Sequence, residues 1–336
     1  MSTDRLDRAR GALLGLAMGD ALGMPTQYLP RELVRERYGL LETFQPGPAD
    51  NELCAGVPAG RVTDDTDQAV ILGRLLVEGH GSVDPQRFAD ELLAWEERMK
   101  AAGSLDLLGP STLKALAAVA EGASTERSGR WGDTNGAAMR VAPIGIATPP
   151  GTAASLARAV HAVSHVTHNT QIATAGATAV AAAVSVAVDG GTLSDVLDAG
   201  VAGARAGADL GFYVAGADVA TRISWALKVV RGLEVEPALD VIFDLMGSGV
   251  ATQDAVPAAV AFVSLLGEDP WLTCRAAASL GGDCDTIAAM AGAIVGALHG
   301  ASAFPAARVS ELRRANPDLG LEPLAGDLLN LRDVTA

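Results

Sequence analysis

Two short segments far apart in the chain concentrate oxygen ligands: Val62-Thr63-Asp64-Asp65-Thr66-Asp67-Gln68 and Leu280-Gly281-Gly282-Asp283-Cys284-Asp285-Thr286. A threonine or aspartate ahead of an apolar run is an ordinary helix start, because its side chain accepts a free amide proton and acids suit the positive end of a helix. Capping accounts for one or two such residues, not for a run of them. Adjacent aspartates repel unless something positive sits among them. Asp283 and Asp285 could not face one way within a helix, whereas a glycine-rich turn can aim both at one point. Carboxylate and hydroxyl oxygens suit hard cations such as Mg2+ or Mn2+, and no His/Cys set competes for zinc. Two oxygen-rich helix starts predict a shared metal site more strongly than either does alone.

Helices must position these clusters. Residues 11–23 read as a helix with Gly11, Gly15, Gly19 and Gly23 on one face, a groove without side chains that predicts a partner helix at close range. Each glycine costs about 1 kcal/mol relative to alanine in a helix, so four on one stripe imply a packing reason. Pro25 ends that helix. Further helical patterns cover 30–38, 64–78, 86–101, 110–122, 152–166, 169–188, 193–206, 216–230, 236–245, 253–266, 270–280 and 284–298. There is no run of alternating strands, no fixed-period repeat and no linker with a shift in composition. The expectation is one all-α domain over residues 1–336, a compact orthogonal helical bundle with its core at about 8–300 and the metal site at helix N-termini.

Composition agrees. Hydrophobic residues make up 49% of the 336 residues, charged ones 19% and aromatics 4%, so small apolar side chains suited to close helix packing dominate. The net charge of −15 argues against general nucleic-acid binding, which needs clustered Lys and Arg. An anionic nucleotide would need a cation or helix N-termini to receive its phosphates. Cys54, Cys274 and Cys284 form no CxxC pair, which points to a reducing compartment. The N-terminal residues lack the order of a signal peptide. The apolar stretches 11–24 and 172–188 read as buried helices rather than membrane spans, so a cytoplasmic location is expected.

Five segments in order resemble the ADP-ribosylglycohydrolase family: GALLGLAMGDALGMP (11–25), VTDDTDQA (62–69), NGAAMRVAPIG (135–145), SHVTHNTQIA (164–173) and LGGDCDTIAAMAGAIVGA (280–297). The resemblance implies an all-α fold and a centre of two Mg2+ ions, or Mn2+. It also implies hydrolysis of the bond between the anomeric carbon of ADP-ribose and an acceptor, a protein side chain or a small conjugate. By the same resemblance Thr63, Asp64 and Asp65 form the first metal motif, and Asp283, Asp285 and Thr286 the second. Cys284 stands where many relatives have threonine and reads as packing.

Two departures bear on catalysis. Many relatives place a glutamate where this chain has Gln27, and glutamine cannot accept a proton as a general base. Asp106, ahead of Gly109 and Thr112, is the expected replacement, so the catalytic expectations fall on Asp65, Asp106 and Gln27. Asp20, in an otherwise apolar helix, is expected to order the site or the fold. Gly132, Asn135 and Gly136 form a loop and helix start suited to phosphate. His168 and the turn Gly247-Ser248-Gly249 complete the expected substrate-binding set. Two other readings stay open on the same fold: hydrolysis of a different ribosyl or nucleoside conjugate, and a catalytically silent ADP-ribose binder.

Overall fold

The computed structural model describes residues 3–105 and 108–335, so Asp106 lies outside the described residues. In chain order the helices are α1 (Thr3–Gly23), α2 (Arg31–Tyr38), α3 (Asp64–Glu78), α4 (Pro85–Ala101), α5 (Pro110–Ala120), α6 (Thr125–Ser128), α7 (Gly136–Met139), α8 (Ala142–Ala147) and α9 (Ala153–Ser164). They continue as α10 (Gln171–Val188), α11 (Leu193–Gly207), α12 (Val219–Val229), α13 (Val235–Val241), α14 (Thr252–Leu266), α15 (Pro270–Ala278), α16 (Cys284–His299), α17 (Ala306–Ala315) and α18 (Leu321–Thr335). Among the described residues extended pairing is limited to two isolated bridges, Thr134 with Ala251 and Thr170 with Phe212. The fold is all-α, as the sequence predicts.

The glycine stripe of α1 has the partner its spacing requires, and that partner is α16. A Cβ at Gly11, Gly15 or Gly19 would stand 2.0 Å from the carbonyl oxygen of Gly296, Gly292 or Ala288 respectively. The register descends on one helix as it ascends on the other, so the pair is antiparallel and in backbone contact. At its far end a Cβ on Gly23 would lie 2.3 Å from Cα of Asp285. The stripe therefore delivers the C-terminus of α1, with Asp20, to the acidic N-terminus of α16.

Around this pair the core is built mainly from Ala, Val and Leu, as in α10, which is long and apolar enough to cross a membrane by composition but has 89% of its length buried inside the protein. The packing continues past residue 300. Leu324 of α18 sits over Gly73 of α3, and the buried Arg332 of α18 donates to the carbonyls of Gly145 and Ser185 at 2.9 and 2.8 Å. Helices after residue 300 thus pack on the same core. The segment read as a helix over 236–245 is α13 followed by a π-helical turn, Ile242–Met246, which ends at Gly247 with φ 88°. That turn releases the chain into the 247–250 loop beside the site.

Candidate active site

At the start of α3, Thr63 is the N-cap and accepts from the amide of Asp65 at 3.4 Å. The remaining free donors go to another helix. Asp20 of α1, fully buried, accepts from the Thr63 amide at 3.0 Å, the Thr63 hydroxyl at 2.8 Å and the Thr66 amide at 3.2 Å, and also from the Thr66 hydroxyl. A buried carboxylate tolerates its charge only with donors of this kind around it. Asp20 thus positions the Thr63–Asp65 turn from behind and does not line the cleft that the turn faces.

At the start of α16, Gly281 and Gly282 take φ of 82° and 67°, left-handed values that favour glycine. A Cβ on Gly282 would lie 2.2 Å from the Ser248 hydroxyl. Three loops interlock here: Tyr28 donates its amide to Gly282 O at 2.6 Å, Gly282 to Leu29 O at 2.9 Å, and Asp283 to Ser248 O at 2.6 Å. Asn135 Nδ2 then donates to Asp283 Oδ2 at 2.5 Å. The two helix starts meet where Thr286 Oγ1 donates to Asp65 Oδ2 at 3.2 Å. Cys284 is buried against the Thr26 hydroxyl at 3.3 Å, turned to packing.

The electrostatics are one-sided. Asp65 is buried, and its other oxygen, Oδ1, has no hydrogen-bond partner. Burial first, then repulsion from Asp285, Asp64, Asp20 and Asp283, holds its carboxyl well above the usual range. Burial pushes Asp283 up to about 6, against hydrogen bonds from Asn135 and Thr286. These donors lower the cost of the charge without neutralising it.

A cleft of about 500 Å3 opens on this cluster, lined by Asp64, Asp283, Asp285 and Thr286 on one side and by Gln27, Tyr28, Thr112, Thr134, Asn135 and Gly136 among others. No Lys, Arg or His is among its lining residues. Among the described residues no three His, Cys, Asp or Glu side chains converge as a ready-made cage. The donor chemistry still fits a cation: buried aspartate oxygens with adjacent threonine hydroxyls, one oxygen orphaned, and no side-chain cation to balance them.

Several expected residues fall together and others do not. Gln27 lines the cleft, its backbone oxygen held by Asn51 Nδ2 at 2.8 Å. Asn135 and Gly136 line it as well. Gly132 does not: it is there for close packing, since a Cβ would stand 2.2 Å from Thr167 O. His168 lies beneath the loop, with Nε2 3.1 Å from the Thr134 hydroxyl and Nδ1 2.8 Å from the Thr167 hydroxyl. Burial, then the nearby Arg140, keeps its ring well below the usual histidine range and so neutral. Gly247, Ser248 and Gly249 are not among the residues that line the cleft, where Val250 stands; Ser248 instead accepts from the Asp283 amide at the start of α16.

Arg140 escaped the sequence reading although it stands inside the NGAAMR segment. It is buried, donates to Gln68 Oε1 at 2.8 Å and to the Thr167 hydroxyl, and lies 5.0 Å over the Phe88 ring. Gln68 Nε2 in turn donates to Asp64 Oδ2 at 2.7 Å. One chain of contacts therefore links Asp64 on one wall to His168 and Thr134 on the other. An arginine in an apolar motif was the available signal, since such a charge is buried only with partners.

A family model described as ADP-ribosylglycohydrolase matches residues 1–336. The chain belongs to the ADP-ribosylglycohydrolase family. As a member it is a glycohydrolase, and the match takes in α17 and α18 beyond the segment that carries the motifs. Relatives of this ADP-ribosylglycohydrolase include an uncharacterized protein, YegU, from Escherichia coli, 38% identical over 93% of each chain. The ADP-ribosyl-[dinitrogen reductase] glycohydrolase of Rhodospirillum rubrum is 32% identical over 170 residues, 50% of this chain and 54% of that one. The solved structure of an ADP-ribosylglycohydrolase-related protein complex is similar with a TM-score of 0.71 and 26% identity, covering 98% of this chain and 99% of the other.

Proposed function

We propose that this glycohydrolase is a cytoplasmic enzyme that cleaves the bond between the anomeric carbon of ADP-ribose and an acceptor, with Mg2+ or Mn2+ as cofactor. The acceptor is a protein side chain or a small conjugate; the name of the Rhodospirillum relative gives that enzyme a protein, dinitrogen reductase. The observation that carries the reading is the meeting of the α3 and α16 N-termini at Asp65 and Thr286, with Asp64, Asp283 and Asp285 turned into one cleft.

Thr63, Asp64, Asp65, Asp283, Asp285 and Thr286 would hold two cations. When bound, these supply the positive charge that polarises the reacting centre and orders water. Asp20 fixes the Thr63–Asp65 turn, and Asn135 fixes Asp283. Asn135 and Gly136 at the start of α7 offer polar contacts for the ribosyl or phosphate part of the substrate. Gln27 can donate to or accept from a water or hydroxyl in the cleft but cannot take a proton from it. A carboxylate in the cleft or Asp106 takes that role.

The test is release of ADP-ribose from arginine-, serine- and nucleoside-linked substrates, with Mg2+, with Mn2+ and with chelator. Metal-dependent release that disappears in Asp285→Ala supports the reading. Absence of release from every substrate, with calorimetric binding of ADP-ribose retained, would favour a silent binder instead.

A further inference from the structure

Asp64 lines two cavities. Besides the cleft, it borders a groove of about 930 Å3 between the 55–63 loop and α4. This groove shares Arg61, Asp67 and Trp95 with a further cavity of about 670 Å3 between α3, α4 and the 316–319 turn. The two form one trough that leads from Asp64 past Trp95 to Asp318.

The charge of this trough is unlike that of the cleft. Arg61, Arg74 and Arg98 line it, and among the described residues none of the three makes an ion pair. Arg61 reaches only the carbonyl of Ala315 at 3.2 Å, and Arg74 those of Asp318 and Leu319 at 3.5 Å. The positive fields of all three act on Asp67, whose carboxylate is already taken by Trp95 Nε1 at 2.9 Å on the trough floor. Apart from Asp64 at the cleft end, Asp67 and the exposed Asp318 are the acidic groups lining the trough. In a chain with 40 acidic and 25 basic residues, three unpaired guanidinium groups in one trough beside an acidic cleft form a local field of opposite sign.

We infer that this trough docks the acceptor side of the substrate, an acidic polypeptide segment flanking the ADP-ribosylated residue. The inference rests on the proposed reaction and adds its partner. The trough is elongated and begins at a cleft residue, so a chain entering the cleft by one side group can lie along it. Guanidinium groups pair with carboxylates bidentately. A nucleotide is disfavoured because Trp95, the one aromatic lining the trough, is 4% exposed and offers no face for stacking a base.

The experiment uses the full chain and dye-labelled, unmodified octapeptides in fluorescence anisotropy, one rich in Glu and one rich in Lys. The acidic peptide is expected to bind, more weakly as salt rises, and at least tenfold more weakly to Arg74→Glu/Arg98→Glu. The double alanine variant should fall between. On an ADP-ribosylated peptide with acidic flanks, the charge-reversed variant should raise KM at least fivefold with kcat within twofold of wild type. Turnover of a small ADP-ribosyl conjugate should be unchanged. Equal binding of the acidic peptide by wild type and charge-reversed protein, or preference for the Lys-rich peptide, overturns the inference. If wild type releases no ADP-ribose from any substrate, the proposed reaction falls, and the anisotropy result decides the trough on its own.

Discussion

Asp20 caps a helix to which it does not belong, accepting the Thr63 amide at 3.0 Å and the Thr63 hydroxyl at 2.8 Å from its place on α1. Replacing it by alanine leaves the amides of Thr63 and Thr66 and the Thr66 hydroxyl buried without their acceptor. Asp20→Ala should cost about 3 kcal/mol in urea unfolding. It should also abolish stabilisation by Mg2+, since the turn carrying Asp64 and Asp65 loses its anchor. Unfolding midpoints with and without Mg2+ check both; a variant that keeps the full Mg2+ effect would show that the turn holds itself.

The α1–α16 contact admits no side chain. In Gly15→Ala the new methyl carbon would meet Gly292 O at 2.0 Å and must push two backbones apart. Such overpacking costs at least about 3 kcal/mol, and the parting moves Asp20 away from α16. Thermal unfolding should show the loss. Gly109→Ala, where φ is −63° and a Cβ would meet nothing within 4 Å, should cost at most about 1 kcal/mol.

If Asp283 holds a cation as proposed, proton and cation compete for it. Folding raises its pKa from 3.8 to about 6, so the folded state binds the proton more tightly than the unfolded chain. That contribution is present in full below about 3.8 and is lost as pH rises through about 6. A divalent cation held there would offset the repulsion left above that range. Added Mg2+ or Mn2+ should therefore raise Tm by several degrees at pH 7.5 and by little at pH 5, as scanning fluorimetry would show. Equal shifts at both pH values would remove Asp283 from the cation site.

Gln27 occupies the cleft without a proton-accepting group. Gln27→Glu is expected to raise kcat, by up to about 10^2-fold, with a new acid limb in the pH–rate profile. Unchanged turnover would place water activation elsewhere, with Asp106 the next variant to make.

Arg140 ties the two walls of the cleft together, and burial pulls its guanidinium down to about 9. Arg140→Ala should destabilise by about 3–5 kcal/mol, because it empties a packed site and strands Gln68 and Thr167. Arg140→Lys should recover part of the stability but not the KM, since one ammonium cannot span both partners. Recovery of KM with lysine would make Arg140 purely a packing residue.

Much of this was legible from local pattern. The starts of α3 and α16 are marked by their polar runs, and the four glycines of α1 predict a close partner, though not that α16 supplies it with Gly292 and Gly296. What local pattern lacks is distance. Asp20 and Thr63 are 43 residues apart and Arg140 and Gln68 72, so neither pairing leaves a periodic trace. Gly132 stands outside the cleft lining; a glycine that permits close packing and one that cradles a ligand look alike in sequence. The helices α7 and α8 are too short for 3.6-residue periodicity to register.

The antiparallel seam between α1 and α16 also sets a schedule for synthesis. Its two halves lie nearly the whole chain apart, so the glycine face of α1 must wait on the ribosome until residues near 296 have emerged. Contacts of such long sequence separation form slowly, and a nascent chain holding that face open is a natural client for chaperones. Full assembly of the acidic cluster is then a late event, one that reports completion of the fold.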